Sequence, residues 1–232
     1  MMRSSFRLLC VCLVVSTTFV AWSDVVAQSG KDWICVGGDR GCSRYSKLDQ
    51  IHRDNVDRLS VAWTFRTGEL IDGKGRTIEC TPVIVDGVVY LTTANRRVLA
   101  LDGRNGDRIW EFDPAAHGPL AGPLASGGVN RGVAYWSDGM PGGQRRILHG
   151  TSDGRLFSLD AATGLPDPDF GDRGAKDLRE DFEIDITKLS YGPTSAPAIF
   201  DDVVILGVSN GEGPGLSAPG DVRAFDVRTG RQ

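Results

Sequence analysis

The stretch IECTPVIVDGVVYLTTANRRVLALDGRNGDRIWEF, residues 78–112, decides the fold. Its short apolar runs alternate with residue pairs that suit tight turns between antiparallel strands, namely Asp86-Gly87, Ala94-Asn95 and Asn105-Gly106. The stretch therefore predicts one four-stranded antiparallel sheet. The carboxylate of Glu79 stands just before the first strand of that sheet.

The second half of this stretch recurs twice downstream. In each copy a strand ends in an apolar residue and Asp, and a Gly follows four residues later; the pairs are Asp102 and Gly106, Asp160 and Gly164, and Asp226 and Gly230. The Asp side chain can accept hydrogen bonds from the turn backbone, and Gly can take the positive φ that such a turn needs. The copies predict a repeat fold made of similar sheets.

The spacing of the copies indicates long loops between strands. The three Asp residues lie 58 and 66 residues apart, whereas a minimal propeller repeat takes roughly 40–50 residues. The inserted segments are residues 113–144, 171–193 and 209–220. Loops held on a rigid scaffold are where binding groups usually lie.

The repeat pattern is incomplete at both ends. SVAWTF at residues 60–65 resembles RIWEF at 108–112, which predicts the last strand of a further sheet before the first complete one. The sequence ends at Gln232, before the counterpart of Trp110 in the third copy. Because propellers use about 4–8 blades to limit exposed sheet edges, we expect an N-terminal fragment of a longer chain.

Composition and the first residues restrict the class of protein. Of 232 residues, 41% are apolar, and a formal net charge of -4 with scattered Lys and Arg argues against nucleic acid as a partner. Residues 1–27 are predicted to be a secretory signal peptide, because Arg3 and Arg7 precede an apolar run at 8–21 and small residues follow. That run is too short for a stable transmembrane span, although a retained anchor is the alternative.

The five cysteines divide into two groups. Cys10 and Cys12 fall within the predicted signal peptide. Cys35 and Cys42 bracket a Gly-rich loop and could close a small disulfide in an oxidising compartment, which the sequence leaves open. Cys80 is then left without a partner. No Cys and His spacing typical of a zinc site occurs in the sequence.

The phrases ALDGRNGDRIW, SLDAATG and AFDVRTG resemble the tryptophan-docking repeats of quinoprotein dehydrogenases, which depend on pyrroloquinoline quinone (PQQ) and are built on an eight-bladed β-propeller. IECTP, VNRGVAYW, DGRLFSLDAATG and TSAPAI extend the resemblance, in order, over nearly all of residues 28–232. The glucose, quinate and alcohol dehydrogenase branches are similar. The resemblance implies an all-β fold: a partial eight-bladed propeller of about three blades plus an N-terminal strand of a further blade.

The resemblance also implies site residues. Glu79 of IECTP lies against PQQ, and Arg131 of NRG contacts a cofactor carboxylate, which suits its planar guanidinium. Thr194 and Ser209 offer hydroxyl groups that hydrogen-bond PQQ oxygens. Glu212 is the expected metal ligand, because Ca²⁺ favours carboxylate oxygens. By residue type alone, the two glutamates are ordinary strand-end and loop acids and the arginine is a surface residue.

Three positions depart from the family pattern. Ala125 and Ser126 stand where the alcohol dehydrogenase branch has two adjacent cysteines, and Gly127 stands where the glucose branch has a histidine. The resemblance therefore leaves open what covers one face of PQQ. The family's catalytic aspartate, metal-binding asparagine and facing tryptophan belong to later blades, so no catalytic base is assigned within these residues.

The activity that the resemblance implies is oxidation of a small alcohol, polyol or sugar by hydride transfer to PQQ, assisted by Ca²⁺, in the periplasm. A separate acceptor such as a cytochrome or a quinone takes the electrons. The alternative is a non-catalytic propeller that keeps the docking repeat as an envelope-assembly or binding scaffold. Such a scaffold has no use for Glu79, Arg131 and Glu212 together, which favours the dehydrogenase.

Residues 28–232 alone are predicted to be inactive, because the resemblance assigns the catalytic base and much of the pocket to later blades. The test is an alcohol-oxidation assay on the purified segment with PQQ, Ca²⁺ and an artificial electron acceptor. We expect no turnover above a control that contains the cofactors without protein. Turnover that requires both PQQ and Ca²⁺ would overturn this expectation.

Overall fold

The computed structural model describes residues 32–71, 74–75, 77–118, 122–180, 182–211 and 213–232. The predicted signal peptide, residues 1–27, and Glu212 lie outside the described residues. No helix among the described residues is long and apolar enough to cross a lipid bilayer. The helices in the described ranges are three single 3₁₀ turns: Val56–Arg58, Pro114–Ala116 and Ala125–Gly128.

Short antiparallel strands make up almost all of the regular structure. A small hairpin pairs β1 (Leu70–Ile71) with β2 (Lys74–Gly75). Sheet 1 contains β3 (Val83–Val85), β4 (Val88–Thr92), β5 (Val98–Asp102) and β6 (Arg108–Phe112). Sheet 2 contains β7 (Ala134–Ser137), β8 (Arg145–Thr151), β9 (Arg155–Asp160) and β10 (Ala175–Asp177). Sheet 3 contains β11 (Ala198–Phe200), β12 (Val203–Leu206) and β13 (Arg223–Asp226). Strands adjacent in the chain are neighbours in each sheet, which confirms the all-β repeat fold.

Sheet 1 confirms the four-stranded sheet predicted from residues 78–112. Asp86 and Gly87, between β3 and β4, have φ values of 50° and 79°, which are the left-handed values of a two-residue hairpin turn. After β5, Gly106 has a φ of 78° and its amide donates a hydrogen bond to the Asp102 carbonyl (2.8 Å). These two turns therefore have the conformations that their residue types predict, whereas between β4 and β5 the positive φ falls on Arg96 (67°) and not on the predicted pair Ala94-Asn95.

Sheets 1 and 2 are joined by the indole of Trp110. Its Nε1 donates to the Ala161 carbonyl (3.0 Å), and the buried Tyr90 hydroxyl donates to the same oxygen (3.1 Å). The indole ring covers Gly164, where a Cβ would lie only 2.5 Å from a ring carbon. The tryptophan of one sheet therefore docks on the Asp-Gly turn of the next. The turn requires glycine because the φ of Gly164 is positive (71°) and because a Cβ would collide with the indole.

The segment before sheet 1 docks in the same way without being a strand. Trp63 donates from Nε1 to the Gly103 carbonyl (3.0 Å) and covers Gly106. The prediction of a strand at residues 60–65 was wrong, because a strand needs a hydrogen-bonded neighbour and none of the described residues pairs with this segment. The Trp63 indole is therefore positioned by its contacts with Gly103 and Gly106 and not by strand pairing.

Sheets 2 and 3 are joined by other groups. The outer strand β10 carries no tryptophan, and the ring of Phe170 lies nearest to Gly230, 3.2 Å from the position of a Cβ. The buried Arg146 donates to the Val227 carbonyl (3.1 Å) and the Arg228 carbonyl (3.0 Å) of the third turn. Trp136 donates to the Asp201 carbonyl (3.1 Å). The Asp-Gly turn is therefore preserved in sheet 3, but Phe170 and Arg146 contact it instead of a tryptophan.

Sheet 2 is buried on both faces. Adjacent side chains of a strand point to opposite faces, so Leu156 of β9 joins the apolar cluster shared with sheet 3 and Phe157 joins the cluster shared with sheet 1. Both residues are almost inaccessible to solvent. Successive sheets therefore pack face to face, and equivalent positions of the three sheets come to lie side by side.

The docking contact can be tested at Gly164, with Gly142 as a matched control. Both glycines have a positive φ, 71° and 69°, which disfavours alanine at either position by roughly 1–2 kcal/mol. A Cβ on Gly142 would meet nothing within 4 Å, whereas one on Gly164 would collide with Trp110. Gly164→Ala should lower the free energy of unfolding by about 2 kcal/mol more than Gly142→Ala, measured by urea denaturation. Equal losses would show that the indole contact does not hold the turn.

Candidate functional site

Three predicted site residues occupy equivalent places in the three sheets. Glu79, Arg131 and Thr194 each stand three or four residues before the first strand of a sheet, in what we call the lead-in segments. The lead-in segments are hydrogen-bonded side by side: the Thr81 amide donates to the Arg131 carbonyl (3.2 Å), and the Arg131 amide donates to the Thr194 carbonyl (2.9 Å). The packing of the sheets thus brings together residues that are more than 50 positions apart in the chain.

The side chains of these three residues are also in contact. Arg131 places Nη2 3.2 Å from Glu79 Oε2 and donates from Nη1 to Thr194 Oγ1 (3.2 Å). The arginine side chain is 46% exposed and the glutamate side chain 37%, while Thr194 is buried. A half-exposed ion pair stabilises a fold by only about 0–1 kcal/mol. The arrangement leaves part of the guanidinium open to an anionic group.

Ser209 lies beside this group. Its amide and carbonyl pair with Gly192, two residues before Thr194, at 3.0 and 3.2 Å. Its hydroxyl lies 2.9 Å from the Ser126 hydroxyl. Ser126 was missed as a site residue, because its position was considered only as a departure from the family pattern. A contact between residues 83 positions apart has no local sequence signal.

The Ala125–Gly128 turn forms one wall of a cleft of about 200 Å³. Three successive residues of the turn have positive φ: Ser126 at 43°, Gly127 at 65° and Gly128 at 92°. A Cβ on Gly127 would meet nothing within 4 Å, so backbone faces open space there. The cleft is lined by Thr77, Glu79, Thr93, Ala94, Gly127, Gly128, Val129 and Asn130. The position of the family's covering residues is thus occupied by bare backbone and one hydroxyl.

Two further residues hold the lead-in segments in place and were not predicted. The buried Asn130 donates to the Gly150 carbonyl (2.7 Å) and accepts from the Gly132 amide (3.0 Å), which fixes the backbone on both sides of Arg131. Arg179 donates to five main-chain carbonyls at 2.9–3.1 Å, those of Pro123, Asp153, Ile186, Leu189 and Tyr191. This guanidinium therefore ties the segments that precede sheets 2 and 3 to one point.

The predicted metal ligand is not placed, because Glu212 lies outside the described residues. Within the described ranges, no three His, Cys, Asp or Glu side chains gather closely enough to hold a metal ion. Of the five predicted site residues, the structure brings together Glu79, Arg131, Thr194 and Ser209.

Behind the cleft, His149 is fully buried and faces sheet 1. Its Nε2 is 2.9 Å from the Arg96 carbonyl, on the connection between β4 and β5. Burial lowers the pKa of His149 to about 4, against the smaller opposing effect of that backbone hydrogen bond. The imidazole is therefore neutral near pH 7, with Nε2 as the donor.

The sheet repeat, the docked indoles and the face-to-face packing of successive sheets define part of a β-propeller. The chain belongs to the family described as "PQQ: Glucose/ethanol/alcohol dehydrogenase, beta-propeller domain", whose sequence pattern matches residues 33–232.

Characterised relatives support this assignment. Quinohemoprotein alcohol dehydrogenase of Comamonas testosteroni is 34% identical over 201 residues, which are 87% of this chain and 25% of that protein. Its crystal structure matches with a TM-score of 0.65, covering 86% of this chain and 26% of that one. Quinate/shikimate dehydrogenase (quinone) of Acinetobacter baylyi is 32% identical, covering 88% of this chain and 27% of that protein. A europium-containing methanol dehydrogenase matches with a TM-score of 0.66 and 30% identity, covering 88% and 31%. The chain thus spans about a quarter of the length of the curated relatives, and its sheets form part of a propeller.

The buried histidine predicts a loss of stability in mild acid. The pKa of His149 is lower in the folded chain than in the unfolded chain, so the unfolded state binds more protons between about pH 6.5 and about pH 4. The free energy of unfolding should therefore fall as the pH drops through this window. His149→Gln keeps a donor for the Arg96 carbonyl but does not titrate. Urea denaturation measures the free energy of unfolding at about pH 7.5 and at about pH 5. The decrease between these two pH values should be roughly 2 kcal/mol smaller for His149→Gln than for the wild-type chain. Equal losses would contradict the role given to this residue.

Proposed function

We propose that this chain forms the cofactor-holding side of a quinoprotein dehydrogenase that oxidises an alcohol, polyol or sugar with PQQ. The observation that carries the proposal is the half-exposed Arg131, which contacts Glu79 and Thr194 at the edge of a cleft. Family membership supports PQQ as the cofactor. The substrate class rests on relatives named for alcohols, quinate or shikimate, and glucose.

The side chains present suit the chemistry of PQQ, a flat anion that carries carboxylates and an ortho-quinone. Arg131 supplies a fixed cation with hydrogen-bond donors for a carboxylate. Thr194 and Ser209 supply hydroxyl donors for carboxylate or quinone oxygens. The bare backbone at Gly127 lets a planar ring approach closely, since no side chain stands in the way. These features suit a planar anionic ligand.

Glu79 differs from Arg131, Thr194 and Ser209, because its side chain accepts hydrogen bonds and does not donate them. Its carboxylate accepts a hydrogen bond from a protonated group of the cofactor, or shares a cation with it. We propose Ca²⁺ as that cation, held by oxygen ligands that include Glu212. When bound, Ca²⁺ would supply Lewis-acid polarisation of a quinone oxygen, and PQQ would supply the hydride acceptor. The base that deprotonates the substrate is not assigned to any residue of this chain.

An enzyme of this class also requires an electron acceptor. It would need a separate carrier to take up the electrons, and we propose a cytochrome or a quinone. Two relatives bear on this: one is named a quinohemoprotein, and that of Gluconobacter oxydans is named a dehydrogenase subunit of a quinone-linked alcohol dehydrogenase. We also propose a periplasmic location, because residues 1–27 have the pattern of a secretory signal.

The non-catalytic scaffold is the weaker alternative. A scaffold needs the docked indoles and the Asp-Gly turns, which lie away from the cleft. It gives no reason for a half-exposed ion pair that adds little stability and whose arginine also donates to the Thr194 hydroxyl.

The proposal is tested by comparing Arg131→Lys with Arg145→Lys. Arg145 is a close match, because it is 48% exposed and lies 3.0 Å from Asp86, away from the cleft. Lysine keeps the charge at either position but loses the planar fork. Binding of PQQ by the whole chain, in the presence of Ca²⁺, is measured by titration calorimetry. We expect Arg131→Lys to weaken binding about tenfold or more, equivalent to about 1.4 kcal/mol, and Arg145→Lys to leave it unchanged. Equal affinities in both variants would contradict the role of Arg131.

A further inference from the structure

The structure brings Cys35 and Cys42 to the two arms of one small loop. The Gly38 amide donates to the Cys35 carbonyl (2.9 Å), and the Arg44 amide donates to the Gly37 carbonyl (2.9 Å). The chain therefore reverses direction between the two cysteines. Residues 35–38 and 42–44 lie side by side, held by their backbones.

Both cysteines also contact the same carbonyl group. The Cys35 thiol donates to the Asp39 oxygen (3.1 Å), and the Cys42 amide donates to that oxygen as well (3.0 Å). The Cys42 sulfur lies over Gly37, where a Cβ would be 2.8 Å from it. Only a glycine at this position lets the second cysteine approach the first arm of the loop. Both thiols are free, and Cys42 is near enough to Cys35 to act on it electrostatically.

The two thiols differ in access to solvent. Cys42 is exposed, while Cys35 is partly buried. Burial raises the pKa of the Cys35 thiol, and the neighbouring Cys42 adds to the rise. Cys42 also has a φ of 51°, a left-handed value that is uncommon for a residue other than glycine. Exposure makes Cys42 the thiol that an oxidant reaches first.

Cys80 is not an alternative partner for either thiol. It precedes sheet 1, and its sulfur accepts a hydrogen bond from the Thr92 amide (3.2 Å). It is also packed near Gly132, where a Cβ would lie 3.6 Å from the Cys80 sulfur. Burial raises the pKa of this thiol.

We propose that Cys35 and Cys42 are a modification site, at which a disulfide-bearing oxidant forms an intramolecular disulfide. The Cys42 thiolate attacks one sulfur of the oxidant, whose other sulfur leaves as a thiol. The Cys35 thiolate then attacks the Cys42 sulfur of this mixed disulfide and releases the second thiol. Two protein thiols are oxidised, one disulfide of the oxidant is reduced to two thiols, and the protons pass through solvent.

The disulfide would stabilise the attachment of this loop to sheet 1. Trp33 pairs with Ile84 of β3 through two backbone hydrogen bonds (2.8 and 2.9 Å), and its indole lies against Gly38. A closed loop restricts the unfolded chain and so favours the attached state. Because β3 follows the lead-in segment of Glu79, the disulfide would reinforce the strand beside the candidate site without contacting it.

The test is a peptide map of the whole chain after incubation with oxidised glutathione. Remaining thiols are blocked, and the chain is denatured and digested with trypsin without reduction. Arg40 lies inside the loop, so cleavage after Lys31, Arg40 and Arg44 places the two cysteines on separate peptides, 32–40 and 41–44. We expect these peptides to remain joined, with a mass two hydrogens below their sum, until a reductant separates them.

Matched variants complete the test. Cys80→Ser should give the same joined peptides, whereas Cys42→Ser should not. Oxidation should raise the Tm of the wild-type chain and of Cys80→Ser by a few degrees, but not that of Cys42→Ser. Blocked thiols at both positions, a persistent glutathione adduct on either one, or a disulfide to any other cysteine would each overturn the proposal. None of these outcomes depends on PQQ binding.

Discussion

The docking of an indole on a glycine turn is the contact on which the rest of this structure depends. Trp110 of sheet 1 lies over Gly164 of sheet 2, and its Nε1 shares the Ala161 carbonyl with the Tyr90 hydroxyl. The contact combines a large buried aromatic surface with a directed hydrogen bond, so it sets both the distance and the rotation between two sheets. Trp63 makes the same contact one sheet earlier, although its segment is not a strand. The indole can therefore dock on the turn whether or not its segment is a strand.

The candidate site is a consequence of this stacking. Each sheet contributes one lead-in segment, and face-to-face packing aligns three of them, so that Glu79, Arg131 and Thr194 touch although no two belong to one sheet. Asn130 and Arg179 then hold the segments through main-chain carbonyls. Asn130 and Arg179, which stabilise the fold through backbone contacts, are buried here, whereas the Arg131 and Glu79 side chains proposed to meet the cofactor stay partly exposed. That division separates the structural role from the binding role.

Local features were predictable and long-range ones were not. The turns at Asp86-Gly87 and Asp102–Gly106 follow from the backbone preferences of their residues, and sheet 1 follows from the turns. The strand at residues 60–65 was predicted wrongly, because likeness to β6 reports the indole and not the neighbour that a strand needs. The third turn is contacted by Phe170 and Arg146 where Trp110 covers the second, since a turn can be covered by any group of suitable shape and polarity. For the site, the family resemblance selected Arg131 and its partners, while their contacts came from the structure.

The sequence by itself determined the strand-and-turn repeat, the class of fold and the residue types offered to a cofactor. These depend on backbone preferences and on patterns that repeat within a few residues. Only the tertiary structure decided which residues meet: Arg131 with Glu79 and Thr194, and Ser126 with Ser209. The physical reason is that these contacts depend on how sheets and loops pack. Packing is set by many weak apolar contacts across the sheets, and no single stretch of sequence contains them.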